Sequence, residues 1–257
     1  MTGAFTVDVE GATLAGERIG ADSPPLVLIH GMAGERGDWD RLLAALPADY
    51  PILRYDLRGF GLSPSDDREY SHSDDLLAVL DALGIECAAV LGLSMGGGVA
   101  LNFALSHPTR VSRLILISPA IVGWEWSAGW KGLWHEVSRA ARDGDLAGAR
   151  ERWFQHPMFA VVRESAAAED LRHAIDAYHG RQWIRDPQRM ELPDLERLHT
   201  LAMPALLLTG ERDVADMRLI ADVIAGAAPQ VRRIDFAGAG HMLHIERPAE
   251  VAAAILG

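Results

Sequence analysis

Three residue types that together can carry out acyl transfer stand far apart in this chain. Ser94 lies in Gly92-Leu93-Ser94-Met95-Gly96, a G-x-S-x-G run. An apolar strand pattern leads into it and a helical pattern leads out, the context a nucleophile elbow requires. A serine hydroxyl attacks poorly unless a base takes its proton. His241, in Gly238-Ala239-Gly240-His241-Met242, fits that role. A histidine set among glycines after a strand has little reason to be a packed core residue. A carboxylate must then hold the imidazole tautomer and stabilise the imidazolium. Asp213, in Thr209-Gly210-Glu211-Arg212-Asp213, is the expected acid, with Glu211 and Asp216 as local rivals. His244 is the back-up base. His30 ends an apolar run and reads as a structural histidine bonding the loop backbone.

The developing oxyanion needs donors. The backbone N–H of Met95, the residue after the serine, is one. The N–H of Met32, in His30-Gly31-Met32-Ala33-Gly34, is the other, because small neighbours let it approach a substrate.

These residues need a scaffold that brings distant loops to one edge. Short apolar runs bounded by turn residues alternate with helix-like stretches, the pattern of a mostly parallel sheet with crossover helices. The predicted strands are Leu26 to His30, Ile52 to Asp56, Ala88 to Leu93, Leu114 to Ser118, Ala205 to Thr209 and Val231 to Phe236. Thr6 to Val9 and Thr13 to Gly16 predict a hairpin turning at Gly11. Helices are expected over Asp38 to Leu46, Ser73 to Leu83, Met95 to Ser106, Met217 to Ala227 and Ala249 to Leu256. The acid, the base and the serine each follow a different strand.

The alternation breaks after Ser118-Pro119. Residues 122–199 read as a helical cap insertion, leaving 1–121 and 200–257 as the core. Six of the seven tryptophans fall in that insertion. Trp124 and Trp126, nearest the junction with the core, are expected to face an apolar or aromatic-lined pocket. The competing expectation is that the rings bind the cap helices to the core.

Bulk properties narrow the function further. The 257 residues carry a formal charge of −12, which argues against nucleic acid as a partner. No apolar run reaches the ~20 residues of a membrane span. Met1-Thr2-Gly3-Ala4 does not open a basic-then-apolar secretory signal. Cys87 is the only cysteine, which suits a reducing cytoplasm, the expected location. No histidine and cysteine set has zinc-ligand spacing, so neither metal nor cofactor is expected.

His30-Gly31 after a strand, Asp56-Leu57-Arg58-Gly59-Phe60-Gly61-Leu62-Ser63, Gly92-Leu93-Ser94-Met95-Gly96-Gly97, Gly210-Glu211-Arg212-Asp213 and Gly240-His241 together resemble the α/β-hydrolase superfamily. The order serine, acid, histidine along the chain agrees with that family. The resemblance implies an α/β-hydrolase fold and a structural turn over Asp56 to Ser63. It is nearest to the branch holding 3-oxoadipate enol-lactonases, small esterases and carbon–carbon bond hydrolases. Relatives that hydrolyse epoxides or haloalkanes use an aspartate nucleophile, so Ser94 points to an acyl carbon. The expected reaction is hydrolysis of a carboxylic ester or lactone of a small molecule. Carbon–carbon bond hydrolysis of a β-diketone-like substrate, a lyase, or a small-molecule receptor are the alternatives.

Overall fold

The computed structural model describes residues 3–21 and 23–257; Met1-Thr2, on which the expectation about a secretory signal partly rests, lies outside them. Among the described residues the strands are β1 (Gly3–Val9), β2 (Ala12–Ile19), β3 (Leu26–Ile29), β4 (Ile52–Tyr55), β5 (Ala88–Leu93), β6 (Val111–Ile117), β7 (Ala205–Gly210) and β8 (Val231–Phe236). They form one sheet in the order β1-β2-β4-β3-β5-β6-β7-β8. β1 pairs antiparallel with β2 and β2 antiparallel with β4, while the strands from β4 to β8 run parallel. The chain thus has the α/β-hydrolase fold.

The central strands explain their own position. β3, β4 and β7 are buried at every residue, so they carry apolar side chains on both faces. β8, at the sheet edge, exposes Arg232 and Asp235. Helices α1 (Asp40–Ala45), α2 (His72–Ala82) and α3 (Met95–Ser106) cover the sheet, with α2 packed on α3. The predicted helix over Asp38 to Leu46 opens instead as a 3-10 turn, Arg36–Trp39, before α1 begins. Trp39, fully buried, fastens that turn to the core.

Between β6 and β7 the described chain is helical and adds no strand to the sheet. It contains α4 (Ala128–Arg142), α5 (Leu146–Phe154), α6 (Ala160–Arg163), α7 (Ala168–Ala177) and α8 (Arg181–Ile184). The N-terminus of α4 is capped by Ser127, whose hydroxyl accepts the Trp130 N–H. α4 packs on α5, where Trp134 meets Trp153 edge-on. The core then resumes with α9 (Ala215–Ala227), α10 (Leu243–Glu246) and α11 (Pro248–Leu256), the last packed on α1. Among the described residues no helix is long and apolar enough to cross a membrane.

Candidate active site

Ser94 stands between β5 and α3 with φ 54° and ψ −117°, in the left-handed half of backbone space. A non-glycine residue there is strained and persists only where its surroundings over-determine it. Here they do. The Ser94 N–H donates to Ile117 O at 2.9 Å, and the Ser94 carbonyl accepts the N–H groups of Ala120 and Gly98 at 2.9 and 3.0 Å. The two glycines of the motif make room for the turn. A Cβ on Gly92 would sit 2.1 Å from Gly96 O, and one on Gly96 would sit 2.3 Å from the carbonyls of Ile29 and His30. The G-x-S-x-G spacing is therefore steric in origin: two backbone crossings with a lifted serine between them.

Asp213 follows β7 and His241 follows β8, the neighbouring strand. The two loops are stitched together by the Arg212 N–H donating to Ala239 O at 2.8 Å. That contact brings Asp213 Oδ2 to 2.9 Å from His241 Nδ1. The other Asp213 oxygen accepts the Val214 N–H at 2.7 Å. Both side chains are buried, at 4 % and 1 % exposure, so the pair is sheltered from competing water. A carboxylate on Nδ1 holds the proton there and leaves Nε2 as the free base.

Ser94 and His241 open on the same cavity, of about 630 Å³. Met32 lines it as well, and Ala33 beside it is itself at positive φ, 61°. The Met32 N–H and the Met95 N–H are both without a protein acceptor among the described residues. The cavity's walls are largely apolar, with Leu93, Trp153, Met158, Phe159, Leu171 and Ile175 among them.

A family model for the alpha/beta hydrolase fold matches residues 24–248. The chain belongs to the α/β-hydrolase family. Among curated relatives it is similar to 3-oxoadipate enol-lactonase 1 of Acinetobacter baylyi, 25% identical over 93% of this chain and 90% of the relative. It is also similar to Esterase YbfF of Escherichia coli, 26% identical over 91% and 92%. Among solved structures, a hydrolase from Pseudomonas aeruginosa PA01 matches with a TM-score of 0.81 and 28% identity, covering 98% of this chain and 97% of that one. The enol-lactonase from Burkholderia xenovorans LB400 shares the fold, with a TM-score of 0.83 over 98% of each chain at 23% identity.

The predicted rivals in this α/β hydrolase are committed elsewhere. Glu211 accepts the Gly238 N–H at the surface. Asp216 accepts from the Ser127 N–H and hydroxyl at 3.0 and 2.7 Å and from Trp124 Nε1 at 3.3 Å. Burial opposes the charge on Asp216, but those bonds outweigh it and hold the carboxyl below its ordinary range. His244 is fully buried against Trp39, with ring centroids 4.9 Å apart, and neither ring nitrogen meets a protein partner. His30 is structural, as expected. Its Nδ1–H donates to Gly31 O at 2.9 Å, its Nε2 accepts the Leu57 N–H at 3.0 Å, and burial lowers its pKa.

The Asp56 to Ser63 turn is likewise structural. Asp56 accepts the N–H groups of Arg36 and Leu62, and Arg58 forms a buried two-pronged pair with Asp75.

The expectation for the tryptophans needs correcting. Trp124 and Trp126 do not line the cavity beside Ser94. Trp124 is tied to Asp216, and Trp126 stacks on Trp130 at 4.3 Å and borders a separate depression of about 200 Å³. Trp153 takes the place expected of them, and meets Trp134, Phe159 and Trp183 edge-on or tilted. The sequence signal for this wall was the helical spacing of Leu171 and Ile175 on α7, one turn apart and both buried. Among the described residues no group of three His, Cys, Asp or Glu side chains is placed to hold a metal ion.

Proposed function

We propose that this protein is a serine hydrolase that cleaves a carboxylic ester or lactone of a small, apolar or aromatic molecule through an acyl-enzyme on Ser94. The observation that carries the reading is that a strained Ser94 and an Asp213-bonded His241 border one apolar-walled cavity.

In this reading the groups act in turn. His241 Nε2 removes the hydroxyl proton as Ser94 Oγ attacks the carbonyl carbon. The N–H groups of Met32 and Met95 hold the oxyanion, and Asp213 stabilises the imidazolium that forms. Collapse expels the alcohol, which takes the proton from His241. Water, deprotonated by the same histidine, then releases the acid and restores Ser94. The helical segment 122–199 acts as the cap, and Trp153, Met158, Phe159, Leu171 and Ile175 give it an apolar lining that shelters the acyl group. A half-buried single cysteine, Cys87, suits a cytoplasmic setting.

Labelling with a fluorophosphonate probe and mapping the modified residue tests the reading. Adduct on Ser94, with turnover of p-nitrophenyl esters or lactones lost in Ser94→Ala, is the expected result. Full turnover in Ser94→Ala would overturn the nucleophile assignment. Inactivity on oxygen esters with cleavage of a diketone would move the assignment to carbon–carbon bond hydrolysis. Product free of solvent oxygen-18 would indicate a lyase.

A further inference from the structure

The cavity beside Ser94 is apolar at depth but acidic toward the turn that precedes α1. Glu35, Asp38, Asp40 and Asp170 line it against a single guanidinium, Arg41. Arg41 is already paired with Asp170, and Asp40 with Arg54. Glu35 and Asp38 have no cation within ion-pair distance among the described residues. Asp38 is half-buried; its Oδ2 accepts the Glu35 N–H at 3.1 Å, and no protein donor reaches its Oδ1. No positive charge offsets this from His244, which lines the same cavity. That ring is fully buried, bonded to no protein group, and kept neutral by burial, which lowers its pKa to about 3.

We infer that this cavity selects substrates by charge, taking uncharged or cationic esters and lactones and discriminating against those that bear a carboxylate, with Glu35 and Asp38 as the specificity-determining groups. The inference rests on the hydrolase reading above for the words ester and lactone. A carboxylate entering the cavity would shed water and meet two negative charges that accept backbone N–H groups but have no cation partner, between low-dielectric walls. An ammonium, or a neutral O–H or N–H donor, would instead find the open Oδ1 of Asp38. Discrimination comes from the repulsion of the wrong substrate as much as from the bond to the right one.

The discrimination rises with pH. Loss of solvent, then the charges of Glu35, Asp56 and Asp40, push the Asp38 carboxyl up to about 7, against the opposing Glu35 N–H. Asp38 is therefore more fully charged above neutrality. The cations around it cannot cancel that charge, because Arg36 is engaged by Asp56, Arg54 by Asp40 and Glu17, and Arg41 by Asp170. His244, across the cavity on α10, stays neutral throughout this range. The other imidazoles that line the cavity are His241, bonded to Asp213, and His173, exposed on α7 at the rim.

The test compares, by pH-stat, the monoethyl esters of butyric, succinic and 4-aminobutyric acid at about pH 8, where Asp38 is mostly ionised. Ethoxide leaves too poorly for the succinyl carboxylate or the amine to expel it quickly without enzyme. The succinyl ester, alone carrying a carboxylate, should show kcat/KM lower than the butyryl ester by at least about tenfold. The aminobutyryl ester should match or exceed the butyryl ester. High salt should shrink the gap. Asp38→Asn, which retains the acceptor for the Glu35 N–H, should narrow it, and Glu35→Gln gives a second route should the first variant fold poorly.

A binding arm separates failure of this inference from failure of the hydrolase reading. Hexylamine, hexanol and hexanoate are titrated by tryptophan fluorescence, since Trp153 lines the cavity. Weaker binding of hexanoate, by a similar factor, supports charge selection even if no ester turns over. Equal kcat/KM for the succinyl and butyryl esters, or equal affinity for hexanoate and hexanol, overturns it.

Discussion

Asp213 Oδ2 lies 2.9 Å from His241 Nδ1 while the second Asp213 oxygen accepts the Val214 N–H. The carboxylate is thus held at both ends, and the ring it bonds cannot turn without breaking a buried contact. Asp213→Asn keeps the shape but offers an N–H to Nδ1 in place of an acceptor. The expected loss in kcat is about 10⁴-fold, with substrate binding little changed. His241→Ala and Ser94→Ala should fall at least as far, and the double variant no further than either single one. Steady-state kinetics on one p-nitrophenyl ester reads all four variants; additive losses in the double variant would contradict a shared mechanism.

Gly96→Ala places a methyl group 2.3 Å from the carbonyls of Ile29, the last residue of β3, and of His30, the buried residue after it. Neither carbonyl can retreat without disturbing the sheet. A stability loss of roughly 3 kcal/mol or more is expected, with loss of fluorophosphonate labelling even in the fraction that folds. Urea denaturation measures the first effect and probe labelling the second.

Asp216 ties α9 to the start of the helical segment through Ser127 and Trp124. Asp216→Ala leaves those donors without their acceptor, at an expected cost of about 1–3 kcal/mol. The loss should be local. Limited proteolysis should cut earlier within residues 122–199, while the Asp213–His241 pair stays intact. Cleavage at the wild-type rate would show that this contact does not restrain the segment.

His72 and His244 are buried without protein partners, and burial lowers each pKa to about 3 from 6.5 in the unfolded chain. Between those values the unfolded chain binds protons that the folded chain does not. Stability from this source is therefore complete above about 6.5 and falls as pH drops toward 3. At about pH 5 each histidine removes about 2 kcal/mol of stability. The urea midpoint should drop between neutral pH and pH 5, and less so in His72→Gln. A midpoint flat across that interval would show that the rings find proton partners in the folded state.

Much of the scaffold was legible because the rules that write it are local. The strands from Leu26 to Phe236 fall within a few residues of their predicted ends, since each is a short apolar run closed by turn residues. The hairpin was underestimated: β1 and β2 extend to Gly3 and Ile19, where polar alternation on an edge pair weakens the signal. The short helix α10 was missed, being a single turn behind the histidine loop. The helix expected at Asp38 begins as a 3-10 turn because Trp39 is drawn into the core, a demand that no local propensity records.

The sequence by itself determined the order of Ser94, Asp213 and His241 and the strand end that each follows. Glycine spacing and apolar runs act over a few residues, so they can be read along the chain. Tertiary structure alone decided which side chains face the cavity. Trp124 and Trp126 turn toward Asp216 and Trp130, Trp153 turns inward, and Asp38 brings a carboxyl into the lining. Those directions depend on how α4 packs on α5 and how the turn before α1 docks on the core. Such contacts join residues far apart in sequence, where no periodicity reaches.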